Sequence, residues 1–246
     1  MNNNETPVAL ITGAAHRIGA ELARTLHQRG YRVLIHYRSS ATEAERIAAE
    51  LNAGRADSAA TLRAALDDAD AVAALAAAAL ARWERLDVLI NNASSFYPTA
   101  WGKATVDDWD ALIGSNLKGA FFLTQALLPA LAARRGCVIN LIDIFAQQPL
   151  PDHPLYCMAK AGLAMMTKSL ARDCGDSVRI NGIAPGAILW PEPPLSPEQQ
   201  AQMLARIPCG RIGEPADIAR TALFLIEDAP YINGQIIAVD GGLSLA

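Results

Sequence analysis

The chain has 246 residues, about half of them hydrophobic, with 21 Lys and Arg against 25 Asp and Glu. That length suits one large domain with a sizeable core, and a mildly acidic chain without blocks of like charge offers no face for nucleic acid. Cys137, Cys157, Cys174 and Cys209 are scattered, with no CxxC pair and no clustered histidines, so neither a zinc site nor a disulfide framework is indicated.

The opening "MNNNETPVAL" lacks the basic and apolar regions of a secretory signal, and the longest apolar run, "AVAALAAAALA", is too short to span a bilayer. A reducing cytoplasm is the expected compartment. Short apolar runs then follow in order: "VALIT", "RVLIHY", "LDVLIN", "CVINLI", "VRINGIA" and "QIIAVD". Between them lie segments of helical period such as "AELARTLHQRG" and "DAVAALAAAALARW". The alternation predicts an α/β domain whose parallel sheet carries helices on both faces. The proline-rich stretch "AILWPEPPLSPEQQ" breaks the pattern. It follows a strand's C-terminal end and predicts a surface loop, then a short helix, together a substrate lid over about residues 187–207. Trp190 in that lid either caps a substrate or anchors the loop.

"VALITGAAHRIGAELA" reads as strand, glycine turn and helix. Gly13 and Gly19 let the backbone turn tightly and approach a pyrophosphate at the helix N-terminus, beside Ile18. Arg17 stands where such turns usually carry a middle glycine. The second strand ends "LIHYRSS", so His36, Tyr37, Arg38, Ser39 and Ser40 occupy the place where an acidic residue would hold the ribose hydroxyls of NAD. A cationic, hydroxyl-rich cluster, joined by Arg17, suits a 2′-phosphate and predicts NADPH as the cofactor.

Tyr156 and Lys160 are four residues apart, on one face of a helix expected to begin near Pro154. An adjacent ammonium stabilises a phenolate and brings a tyrosine, ordinarily of pKa about 10, towards a useful range. "TGAAHRIG", "NNAS", "SNLKG", "YCMAK", "NGIAPG" and "VDGG" appear in an order that resembles the short-chain dehydrogenase/reductase family over essentially the whole chain. The resemblance implies a single domain over residues 1–246, with a Rossmann-type doubly wound parallel sheet of seven strands. It also implies a catalytic Asn, Ser, Tyr and Lys, of which Asn116, Tyr156 and Lys160 match three. In the same terms Asn91, Asn92 and Ala93 line the cofactor, Asn116 supports a water-linked proton path to Lys160, and Pro185 and Gly186 border the nicotinamide. Ala65 replaces an aspartate that touches adenine, leaving Leu66 to pack the ring.

Asp143 stands where the serine would be. A carboxylate within reach of Tyr156 opposes phenolate formation, so the two titrate as a pair. Ionised, Asp143 accepts hydrogen bonds from N–H groups; protonated, it delivers a proton to a ring nitrogen. An amino-bearing, reducible nitrogen heterocycle meets both conditions, and Phe96 in "NNASSFYPTA" offers a face for a flat ring. Together these features resemble the pteridine reductase branch. That resemblance implies NADPH-dependent reduction of dihydropterins or oxidised pterins, with Ser94, Phe96, Asp143 and Tyr156 at the substrate, Arg17 near phosphate and pterin, and a homotetramer. The alternatives are a carbonyl or 3-oxoacyl reductase that tolerates the aspartate, and a non-catalytic NADPH-binding sensor. His153 reads as a solvated loop histidine and Cys157 as core packing.

Overall fold

In the computed structural model, which describes residues 5–190 and 195–245, seven parallel strands lie in the order β3-β2-β1-β4-β5-β6-β7. These are β1 (Val8–Ile11), β2 (Arg32–Tyr37), β3 (Ala59–Arg63), β4 (Val88–Asn91), β5 (Cys137–Leu141), β6 (Arg179–Pro185) and β7 (Ile236–Val239). Every residue of β1, β4 and β5 is buried, as strands covered on both faces require. Side-chain alternation then divides the core in two. Ala9 and Ile11 of β1 pack with Val33 and Ile35 against the helices α1 (Arg17–Gln28), α2 (Ala41–Gly54) and α8 (Pro215–Leu223). Val8 and Leu10 pack with Leu34 and Leu89 against α3 (Ala69–Trp83) and α5 (Gly119–Ala132). Each large side chain in these layers contributes about 1.5–3 kcal/mol by leaving water.

The expected doubly wound α/β architecture is therefore present, and β3 is the strand that the apolar runs did not reveal. It is the sheet edge, and only its first residue is buried. The strand order reverses between β1 and β4, which opens a crevice at the carboxyl ends of the strands. The helix carrying Tyr156 and Lys160, α6 (Pro154–Asp173), has Pro154 in its first turn as predicted. Between α4 (Val106–Ile113) and α5 the chain runs through a π-helical turn, Gly114–Lys118. The lid region begins with a bridge between Ile188 and Gly213 and ends in the short helix α7 (Pro197–Ala205), whose N-terminus is closed by a reciprocal Ser196 and Gln199 cap. Residues 191–194 of the predicted loop lie outside the described residues. Among the described residues no helix is long and apolar enough to cross a membrane.

Candidate active site

The crevice is a cleft of about 1160 Å³ lined from the ends of β1, β2, β4, β5 and β6 and from α7. Its floor is fixed by Thr12, which sequence reasoning passed over. The Thr12 hydroxyl donates to the Ile90 carbonyl and accepts the N–H groups of Asn92 and Ala93 at 2.9 and 3.0 Å. The Asn92 side chain returns two bonds, to the carbonyls of Thr12 and Gly13. These bonds pin the glycine turn to the end of β4. Gly13 has a φ of +62°, and a Cβ there would lie 2.8 Å from the Ala93 backbone. A Cβ on Gly19 would lie 2.3 Å from the Gly13 carbonyl oxygen. Only glycine permits these approaches. Arg17, with a φ of +49°, adopts the left-handed backbone without being glycine, and its guanidinium donates to the Ile188 carbonyl at 3.4 Å. It ties the nucleotide turn to the root of the lid.

The predicted 2′-phosphate cluster separates into two kinds of residue. His36 is buried; its Nδ1 accepts the Gly13 N–H at 3.1 Å, and its Nε2 donates to the Ala64 carbonyl at 3.2 Å. Burial pushes its pKa down to about 4, against the weaker opposing effect of the Ala64 bond. His36 is thus a neutral brace, and its assignment to a cationic cluster is corrected. Tyr37 packs against the core on the α1 side. Arg38 is exposed, lines the cleft, and lies 3.6 Å from the Asp67 carboxylate, while Ser39 and Ser40 stand beside it at the start of α2. Leu66 lines the cleft, and Asp67, which the sequence reading missed, lines it too. Gly186, after Pro185 at the end of β6, also lines the cleft; a Cβ there would lie 2.6 Å from the Asp240 side chain. Asn91 faces elsewhere: its amide donates to Thr124 and Asn140 in a buried polar row beneath the sheet, which corrects its placement at the cofactor. A long cleft with a glycine-walled turn at a helix N-terminus and a solvent-exposed arginine fits an extended, anionic dinucleotide.

At the other end of the cleft Asp143 leaves β5 as the cap of a single 3-10 turn, Ile144–Ala146. Its Oδ1 accepts the Phe145 N–H at 3.0 Å and its Oδ2 accepts the Tyr156 hydroxyl at 2.7 Å. Lys160, one helical turn further along α6, is buried, donates to the Leu141 carbonyl at 2.9 Å, and holds its Nζ 5.6 Å from the Tyr156 ring centroid. Burial pushes Lys160 down to about 8, while the Asp143 charge works the other way. Asp143 is raised above the usual carboxylate range by burial, against the lowering effect of the Phe145 N–H, the Tyr156 hydroxyl and Lys160. Tyr156 is also raised, by burial first and the Asp143 charge second. The expectation that Lys160 would bring the tyrosine pKa down is corrected: burial and the aspartate outweigh the ammonium, whose bond goes to a carbonyl. Asp143 and Tyr156 form one coupled unit.

Asn116 sits in the π-helical turn, where the shifted backbone register exposes carbonyls to side chains. Its amide donates to the carbonyls of Ser95 and Leu112, both at 2.9 Å, and its oxygen accepts the Ser94 hydroxyl at 2.6 Å. It therefore anchors the loop that presents Phe96. Phe96 lines the cleft, meets the Tyr156 ring edge-on at 4.8 Å, and is more than half exposed. His153 is half-buried in the turn before α6 and stacks parallel on Phe96 at 4.6 Å, with Nδ1 donating to the Pro151 carbonyl, so this loop histidine also supports the ring. The Cys157 thiol accepts the Leu150 N–H at 3.5 Å. Trp190 is half-buried.

A family model described as enoyl-(acyl carrier protein) reductase matches residues 13–244. The chain is 38% identical over 242 residues to a 3-oxoacyl-(acyl-carrier-protein) reductase of Staphylococcus aureus strain Mu50, covering 97% of this chain and 98% of the relative. Pteridine reductase 1 of Leishmania tarentolae is 34% identical over 281 aligned residues, covering 97% and 96%. A 3-oxoacyl-(acyl-carrier-protein) reductase of Thermotoga maritima is 34% identical over 249 residues, covering 97% and 98%.

Proposed function

The chain belongs to the short-chain dehydrogenase/reductase family and is an oxidoreductase; within that family we propose that it is an NADPH-dependent pteridine reductase. Its substrates are dihydropterins or oxidised pterins, dihydrofolate and dihydromonapterin among them, and its products are the tetrahydro forms. The observation that carries this reading is the 2.7 Å bond from the Tyr156 hydroxyl to Asp143. An ionised carboxylate there cannot donate to a ketone oxygen, and it engages the tyrosine's own proton. A substrate with ring and exocyclic N–H groups satisfies the free lone pairs of Asp143, and a ring nitrogen takes the proton that the pair holds.

The cofactor, when bound, supplies one hydride to a ring carbon in each reduction, once for a dihydropterin and in two successive rounds for an oxidised pterin. The residues divide the remaining work. The Gly13 to Gly19 turn holds the pyrophosphate, Arg38 and Arg17 answer phosphate charge, and Arg38 selects the 2′-phosphate. Asn92, Ala93, Pro185 and Gly186 border the nicotinamide. Phe96, backed by His153, presents a flat face to the heterocycle, and Ser94 and Asn116 keep that loop in place. The Asp143 and Tyr156 pair releases one proton to the nitrogen next to the reduced carbon. Lys160 offsets the negative charge left on the pair, and Asn116 supports the water-linked path that reprotonates it.

The relatives at 38% identity favour a second reading, reduction of 3-oxoacyl thioesters. The two readings separate in initial rates of NADPH oxidation with dihydrobiopterin, dihydromonapterin, dihydrofolate, simple ketones and an acetoacetyl thioester. The pterin reading expects turnover of at least one pterin well above that of the ketones and thioester, and it fails if only the latter react. A cytoplasmic homotetramer belongs to the same proposal. Phe121 and Phe122 on α5 and Met165 on α6 are large exposed apolar side chains of the kind that a second copy covers. Sedimentation should give about four times the 26.1 kDa chain mass.

A further inference from the structure

Two glycines at the ends of the π-helical turn let the segment after β3 pack tightly against it. A Cβ on Gly119 would lie 2.4 Å from the Leu66 carbonyl oxygen, and a Cβ on Gly114 would lie 2.8 Å from the Cβ of Asp67. The Asp67 carbonyl also accepts a bond from the Lys118 ammonium at 3.5 Å. The turn that places Asn116 therefore fixes Asp67 as well. Across the cleft, Arg63 donates to the Arg38 carbonyl at 3.3 Å and holds the backbone after the end of β2. The Arg38 guanidinium then lies 3.6 Å from the Asp67 carboxylate, and both side chains line the cleft. Among the described residues, Asp67 is the one carboxylate that Arg38 meets. A smaller pocket beyond Asp67 is acidic, lined by Asp68, Asp107 and Asp110 against the single cation Lys118.

Resting on the reading of Arg38 as the 2′-phosphate ligand, we propose that Asp67 is a cofactor-specificity residue whose carboxylate competes with the 2′-phosphate for Arg38 and limits the preference for NADPH over NADH. A guanidinium that faces a carboxylate must release it or share its donors when a phosphate binds, and the phosphate meets the repulsion of that carboxylate. NADH carries a hydroxyl in place of the phosphate and meets neither cost. The Arg38 side chain is 63% exposed and that of Asp67 29%, so solvent screens the competition and keeps it modest.

The test is equilibrium binding of NADPH and NADH to the full chain, followed by quenching of tryptophan fluorescence, in the parent protein, Asp67→Asn and Asp107→Asn. Asp67→Asn should lower the NADPH dissociation constant about 3- to 10-fold and leave that of NADH within about twofold, with the gain shrinking as salt is raised. Asp107→Asn removes the same charge from an exposed position on α4 and should leave both constants within about twofold. A parent protein that prefers NADPH, with that preference unchanged in Asp67→Asn, overturns the proposal and leaves the cofactor reading intact. An equal gain in Asp107→Asn also overturns it, because any nearby charge would then serve. Equal weakening of both dinucleotides in Asp67→Asn overturns it by placing Asp67 at the adenine that they share. A parent protein that binds NADPH no more tightly than NADH overturns the cofactor reading and the proposal together.

Discussion

The two ends of the cleft are built by different physics. The nucleotide end is made of backbone: Gly13, Gly19 and Gly186 approach so closely that a single Cβ would lie 2.3–2.8 Å from a neighbour, and the buried His36 and half-buried Asn92 brace the turn with neutral hydrogen bonds. The reacting end is made of buried ionisable side chains, Asp143, Tyr156 and Lys160, whose proton affinities all depart from their usual values. Shape therefore governs where the cofactor lies, and coupled charge governs what is done beside it. Substitutions should separate the two: side-chain changes at the reacting end cost rate, while backbone changes at the other end cost binding and stability.

The largest effect should follow Tyr156→Phe. Removing the hydroxyl deletes the proton that Asp143 holds, so kcat should fall by about 10²–10⁴-fold while NADPH affinity, followed by quenching of tryptophan fluorescence, stays within a few-fold. Gly13→Ala is the counterpart. A side chain at a φ of +62° against Ala93 should cost about 1–3 kcal/mol, seen as a lower melting temperature and weaker NADPH binding, whatever substrate is used. Arg38→Asp should change the NADPH to NADH preference by about tenfold or more in kcat/KM without altering the pterin order; an unchanged ratio would remove Arg38 from the phosphate pocket.

A subtler separation comes with pH. Lys160 is held near 8 in the folded chain against an ordinary value near 10.5, so above pH 8 it becomes neutral. Activity should then decline. Over the interval from about 8 to 10.5 the unfolded chain binds the extra proton, so this group's contribution to stability rises with pH while the rate falls. His36, held near 4, works at lower pH: its contribution to stability is present above about 6.5 and is lost as pH falls towards 4. A pH titration of stability alongside rate in the parent protein distinguishes these groups.

The sequence carried the architecture because fully covered strands are continuous apolar runs. The edge strand β3, "AATLR", has one buried residue and no such run, so only the family pattern implied a seventh strand. The glycine turn was legible because backbone geometry restricts residue type. His36 was misread because its type suggests charge and its burial removes it. Asp143 stood out as a carboxylate in a hydroxyl position, yet the direction of the Tyr156 shift depends on burial, which a four-residue spacing does not report. Asp67, facing Arg38, and Thr12, holding the turn, lie in segments whose local pattern is that of any strand-to-helix connection. The lid's short helix was legible from the proline-rich stretch that precedes it, whereas the Ser196 cap that closes it became apparent only in the structure.

The central claim is that Asp143 defines the substrate and does not hold the fold. Its most direct test is Asp143→Ser, assayed for dihydrobiopterin turnover and NADPH dissociation constant on the same preparation. Turnover should fall by about 10²-fold or more with the dissociation constant within about twofold of the parent protein. Comparable losses in both, or undiminished pterin turnover, would contradict the account.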